Sequence, residues 1–323
     1  MKRAEMALLL CATGLAWMPA GWAQTGKYPD RAIRLISPFP PGGTVDVTAR
    51  ILAPAVSKSV GQQVVVDNRA GASGIIGTAE AARAKPDGYT LLINTTPMVT
   101  NPLMYSKVPY SPLKDFDAIS MLASTPSFLS VHPSVPVKTV REMIKLAKSR
   151  PGALNYGGAG TGTNPHIAGE LFNHLAKTDI VVVQFKGGGP ALLAAISGEM
   201  SVAFSGVAGA VGFVQSGRLR ALGVTSEKPV KALPGVPPIA ESLPGYEFTA
   251  WFLLAAPKGT PREVVAMLND HFRKSLAAPD TARRLEADGL DAIGSTPEQA
   301  TATLESDLKK YTVLIQERKM KAE

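Results

Sequence analysis

Residues 156–166 read YGGAGTGTNPH, from Tyr156 to His166, with four glycines and two threonines around one short loop. The stretch follows a strand ending at Tyr156. Asn164 then supplies a capping side chain and Pro165 a first helical position, so a helix opens there. A glycine loop feeding a helix N-terminus presents several backbone N–H groups and the positive end of the helix dipole, which together attract anions. Thr161 and Thr163 add hydroxyls. The missing side chains let a ligand come close to the backbone.

The same construction recurs along the chain. FPPGGTVD (Phe39 to Asp46) follows the β-branched strand Ala32–Phe39 and precedes a helix running from Asp46 to Val60. GASG, which holds Ser73, precedes the helix after Ile75. Thr95 and Thr96 precede a helix opening at Pro97. KGGGP carries Lys186 and Gly187, and FSG carries Ser205 and Gly206. One such loop signifies little, because turns use glycine for geometry alone. Six of them at the carboxyl ends of strands in parallel sheets predict a ligand cleft. Their chemistry specifies an anion or carboxylate, not a particular molecule.

Between the loops the pattern alternates strand and helix. Ser127–Pro133 reads as a strand and Thr139–Ser149 as an amphipathic helix. Lys228–Tyr246, rich in proline and glycine, reads as an irregular surface crossing. Phe248–Pro257 is a long apolar strand. Helices follow over Pro261–Ala277, Thr281–Asp288 and Pro297–Lys319. Two sets of strand and helix joined by two extended crossings predict an α/β protein of two lobes with a cleft between them. Lobe 1 is expected over 24–125 plus 246–323, with the last helix packing back onto it, and lobe 2 over 126–245.

The chain of 323 residues opens with Lys2 and Arg3, an apolar run, and Gly21-Trp22-Ala23 before Gln24. That is the pattern of a cleaved secretory signal peptide over 1–23, too short for a permanent span. Cys11, the single cysteine, falls inside it, so the mature chain has no thiol for a disulfide, a metal or catalysis. Export without disulfides fits a periplasmic protein with a large core. The net charge is +8 over the whole sequence. The basic residues are scattered, with no long Lys/Arg block and few interleaved aromatics, which argues against nucleic acid and leaves a mild field favouring anions.

Catalytic sets are thin. GGAGTG lacks the third glycine of the dinucleotide spacing, and no Walker loop, H-E-x-x-H or G-x-S-x-G occurs. The four histidines, His132, His166, His174 and His271, are not clustered with carboxylates, so neither metal nor other cofactor is expected. Ser205, His166 and Asp46 form a conceivable triad that no spacing requires. His166 reads either as a ligand or loop-bracing group or as a buried structural one. Asp46 reads as a helix cap or as a partner for a ligand ammonium. Lys186 faces a carboxylate or solvent, and Trp251 reads as packing.

The sequence resembles the Bug family of extracytoplasmic solute-binding proteins, the receptors of tripartite tricarboxylate transporters. The likeness rests on YPDRAIRLISPFPPGGTVDVTAR, VVVDNRAGASGIIGTAEAARAKPDGYTLL, YSPLKDF, NYGGAGTGTNPHIAGELF, FKGGGPALLAAISGE, LRALGVTS, LPGVPPIAESLPGYEFTAW and APKGTP. The resemblance implies a type II periplasmic binding protein fold whose two α/β lobes close on a small organic carboxylate. It also implies a monomer, no enzymatic activity, and delivery to integral membrane permease subunits. Carried over, the first loop contributes Phe39, Pro41, Gly42, Gly43, Thr44 and Asp46. Lobe 2 contributes Ala159, Gly160, Thr161, Thr163 and His166, then Lys186 and Gly187, then Ser205 and Gly206. The chain departs where many members read H-V-P-Y-K-G: Val182, Gln184 and Phe185 replace His, Pro and Tyr. It also has Gly157-Gly158 where members often carry serine before alanine. An orphan sensor feeding a membrane signalling protein, or a hydrolase using the cleft, are the other readings of the same features.

Overall fold

The computed structural model describes residues 28–322, so the expected leader over 1–23 lies outside the described residues. The first half runs β1 (Ile33–Ser37), α1 (Thr44–Val60), β2 (Val64–Asn68), α2 (Ile75–Ala82), β3 (Thr90–Asn94), α3 (Pro97–Met104) and β4 (Phe116–Val131). The middle runs α4 (Val140–Ser149), β5 (Asn155–Gly158), α5 (Asn164–Ala176), β6 (Val181–Gln184), α6 (Gly188–Ile196), β7 (Val202–Gly206), α7 (Val207–Gln215) and β8 (Arg220–Val224). The chain closes with β9 (Thr249–Pro257), α8 (Arg262–Ala277), α9 (Pro279–Ala287), β10 (Asp291–Ala292) and α10 (Pro297–Glu317).

The sheet path is β2-β1-β3-β9-β4-β7-β5-β6, with β8 and β10 also on β4. β1 lies parallel between β2 and β3. Its Ile33, Leu35 and Ile36 are fully buried, while Arg34 pairs with Asp67 and Glu80. β2, at the edge, leaves Val65 exposed. In the second half β5 is parallel to both β6 and β7. The predicted α/β architecture is therefore present, with parallel sets on either side of antiparallel crossing strands.

β4 is the main correction to the sequence reading, which has a strand only over Ser127–Pro133. The observed strand starts at Phe116 and serves both halves. It pairs with β9 from Phe116 opposite Pro257 to Pro126 opposite Thr249. From Ser127 opposite Gly206 it pairs with β7, and over Phe128–Val131 it pairs with β8 as well. Residues 116–126 are buried nearly continuously, so they show no alternation. Pro126 reads as a breaker, yet its missing N–H is tolerated where the strand exchanges partners.

Two other expectations shift. The crossing over 228–246 is irregular but not simply a surface run: it buries Leu233, Ile239, Leu243 and Tyr246. Ile239 packs so closely on β8 that a Cβ at Gly223 would lie 2.8 Å from its Cγ1. α10 opens with a reciprocal cap between Thr296 and Gln299 and packs along β4 and α3. Just beyond its end it also reaches α5, where Arg318 Nε donates to Glu170 Oε2 at 2.7 Å. Trp251 is buried on β9 and donates to Asp307 Oδ2 at 2.6 Å, a packing role.

One core gathers Leu35, Leu52, Phe252 and Phe272 beneath α1 and α8. Another joins α3 and α10 to Tyr156, Phe172, Phe204 and Tyr246. Its rings meet edge to face, with Tyr156–Phe204 centroids 5.7 Å apart and Phe172–Tyr246 6.1 Å apart. Each such ring contributes about 1.5–3 kcal/mol by leaving water. The loops at the carboxyl ends of β1, β3, β5 and β7 are thus set on rigid supports.

Candidate functional site in the facing glycine loops

The loops before α1 and α5 share one construction. Gly42 has φ +81° and is followed by Gly43 at φ −74°, ψ 161°. Gly162 has φ +79° and is followed by Thr163 at φ −76°, ψ 164°. In each, the left-handed glycine donates its N–H to a side chain four residues on. Gly42 donates to Asp46 Oδ2 at 2.9 Å and Gly162 to His166 Nδ1 at 3.0 Å. The cap of α5 is Thr163, not Asn164 as the sequence suggests. Thr163 gives its hydroxyl to Gly160 O at 2.7 Å, and this turn moves the helix start one residue earlier.

Asp46 is only 2% exposed, and both its oxygens are engaged. Arg50 Nε lies 2.9 and 3.0 Å from them, and Asn68 Nδ2 donates to Oδ1 at 2.9 Å. Burial pushes the Asp46 carboxyl up, but the bonds from Arg50, Gly42 and Asn68 outweigh it and hold the group below its ordinary value. The carboxylate braces the loop, and its geometry leaves little for a ligand ammonium. His166 is likewise buried. Burial lowers its pKa against an opposing pull from Glu170. A neutral ring accepting at Nδ1 carries its hydrogen on Nε2.

The loop before α2 carries four successive left-handed or extended-positive residues: Gly71 (φ 142°), Ala72 (46°), Ser73 (52°) and Gly74 (90°). For Ala72 and Ser73 this conformation costs about 1–2 kcal/mol each. Cross-bracing holds it: Asn101 Nδ2 donates to Ser73 O at 2.9 Å, and Ser73 Oγ lies 3.2 Å from Tyr105 Oη. Phe39 covers Gly74 so tightly that a Cβ there would sit 3.1 Å from its ring. Strained loops held by their surroundings concentrate at functional sites.

The two halves meet across these loops. Thr100 Oγ1 donates to Gly162 O at 2.9 Å. A Cβ at Gly160 would point to within 3.9 Å of Ser73 Oγ. Nearby, Ser37 Oγ, Thr95 Oγ1, Thr96 Oγ1, Asn101 Oδ1 and Asn164 Oδ1 are buried with no partner among the described residues. Buried polar atoms are ordinarily paired, and these lie at the carboxyl ends of β1 and β3, within α3 and at the opening of α5.

The other nominated residues spread out. Gly43, Ala159 and Thr161 are half-buried along the loops, while Pro41 in the turn before α1 and Thr44 at its first position are exposed. Lys186 is exposed and forms no ion pair among the described residues. Gly187 turns left-handed (φ 113°) into α6, and Gly206 caps α7 next to half-buried Ser205. Nothing joins Ser205, His166 and Asp46: the first faces Phe128 across the ladder, and the other two are engaged within separate loops. Sequence reasoning missed Arg50, Asn68, Thr100, Asn101 and Tyr105 as supports. Asn68, closing an apolar strand with a side-chain amide, carried the one available signal. Surface hollows of about 980 and 620 Å³ lie at β4 and β9, and no nominated residue lines either of them.

Residues 48–320 match the model of the tripartite tricarboxylate transporter family receptor. BugT of Bordetella pertussis is 32% identical over 97% of this chain and 98% of its own length. An R. palustris protein solved with adipate superposes with a TM-score of 0.82 at 33% identity, covering 91% of this chain and 99% of that one. MatC from Rhodopseudomonas palustris, solved with bound malate, gives 0.79 at 29% identity, covering 89% and 100%. Family and fold are those of non-enzymatic solute-binding receptors with two lobes, and among the described residues no helix is long and apolar enough to cross a membrane. With braced glycine loops opening helices in both α/β halves, this chain belongs to the tripartite tricarboxylate transporter receptor family, the Bug-type solute-binding proteins.

Proposed function

We propose that the protein captures a small carboxylate between its lobes in the periplasm, after removal of the leader, and presents it to the permease subunits of a tripartite transporter. The observation that carries this reading is the meeting of helix-opening glycine loops from both halves, where Thr100 Oγ1 donates to Gly162 O and Gly160 lies against Ser73. Such sites suit an anion. Relatives solved with malate and adipate bind acids of this kind. Contacts made by both loops only when the gap is shut would drive closure.

The proposed lobes are 24–125 plus 246–323, and 126–245. The exchange of β4 from β9 to β7 between Pro126 and Ser127 supports that division. β4 and β9 would then act as the flexing connection.

Thermal unfolding of ligand-stripped protein against a panel of mono-, di- and tricarboxylates and their amides tests the proposal. An acid at a hundred times its Kd adds about 2.7 kcal/mol, a rise in Tm of a few degrees at this size. A rise with an acid that its amide fails to give is expected. A response only to neutral sugars or to cations would sink the carboxylate reading.

A further inference from the structure

The amide of Gly160, in the middle of the lobe 2 loop, is taken by a side chain from the neighbouring strand. Gln184 Oε1 accepts it at 3.0 Å. Gly158 and Gln184 are direct partners in the β5–β6 ladder. The Gln184 side chain lies over the bare Cα of Gly158: a Cβ there would be 2.4 Å from Oε1 and 2.9 Å from Cδ. The two positions act as one unit, because any side chain at 158 would evict Gln184 from the loop.

Three loop amides therefore have side-chain acceptors, and they differ in kind. Gly42 and Gly162 are held by Asp46 and His166, both buried. Gln184 is exposed, and no other hydrogen bond holds its side chain among the described residues. It is a neutral acceptor held by that one bond. A carboxylate oxygen makes a charge-assisted bond to an N–H, roughly twice as strong as a neutral one. Gly160 also lies on the gap, facing Ser73.

We infer that Gln184 is an internal competitor for the ligand: its amide oxygen occupies the Gly160 N–H until a carboxylate oxygen displaces it, so this residue sets affinity and selects for charged acceptors. The inference rests on the carboxylate reading above. It makes Gln184 a specificity-determining residue, absent from the set that sequence reasoning assembled.

The test uses calorimetric titration of malate and adipate into ligand-stripped wild type, Gln184→Ala and Gln184→Glu. Removing a competing neutral bond tightens binding about three- to tenfold in Gln184→Ala. In Gln184→Glu a fixed carboxylate holds the amide and repels the ligand, so binding weakens by about tenfold or more. In free protein, hydrogen exchange at the Gly160 amide is faster in Gln184→Ala than in wild type. Equal or weaker acid binding by Gln184→Ala, or unchanged exchange, overturns the inference while the carboxylate reading stands. Failure of all three proteins to bind any acid, with a neutral solute bound instead, removes both.

Discussion

His166 accepts the amide hydrogen of Gly162 through Nδ1 at 3.0 Å, the same four-residue brace that Asp46 provides for Gly42 in the other half. The two acceptors differ in one property. A carboxylate held low keeps accepting into acid, whereas an imidazole stops accepting at Nδ1 once protonated.

That difference predicts an asymmetric response to pH. The folded pKa of His166 is depressed below its unfolded value of about 6.5. Its stabilising contribution is full above that value and fades as pH falls through the folded pKa, because the buried ring must charge. Asp46, also depressed, contributes above about pH 4 and fails only at lower pH. Affinity and the urea midpoint should therefore decline first in mildly acid buffer, and His166→Gln should flatten that first decline. An unaltered profile in the variant would contradict the assignment.

Asp46→Ala should be costly because it removes the brace of its loop. It leaves the Gly42 amide, Arg50 and Asn68 without their shared acceptor. Loss of a buried charged acceptor costs about 1.5–3 kcal/mol, readable in chemical denaturation. Asp46→Asn should recover part of this loss. Equal stability of all three proteins would show that the brace is incidental.

Gly42→Ala and Gly162→Ala should separate strain from crowding. Both glycines are left-handed, so each alanine costs about 1–2 kcal/mol in backbone strain. A Cβ at 42 meets nothing within 4 Å, but one at 162 lies 3.1 Å from Thr100 Oγ1 and 3.3 Å from Met104 Sδ. Gly162→Ala should therefore lose more stability and also weaken ligand binding, since it pushes the halves apart. A larger penalty at position 42, in parallel melts and titrations, would contradict this.

Arg318→Ala should loosen the tail of the chain from α5. Arg318 is the cation on Glu170, whose side chain is 8% exposed and also accepts from Tyr156 at 2.9 Å. An unpaired buried carboxylate should lower stability by about 1–3 kcal/mol. Glu170→Gln in the same background should restore part of it, as a double-mutant cycle would reveal. Additive losses would mean the pair is uncoupled.

Much of this was legible in the linear sequence. Alternation of β-branched runs with apolar 3.6-residue stripes determines the strands and helices at Ile33, Thr44, Thr90 and Asn164, because local periodicity and turn chemistry decide them. The glycine loops declare themselves for the same reason: left-handed backbone at Gly42 and Gly162 is a local demand. What the sequence could not determine is every relationship that depends on which strand lies beside which. The reach of β4 from Phe116 required β9, brought from over 100 residues away. The roles of Asp46 and His166 as braces, the meeting of Thr100 with Gly162, and the covering of Gly158 by Gln184 were decided by tertiary structure. Hydrogen bonds and close approach depend on distance in space, and residue type and spacing leave that distance open until the sheet is assembled.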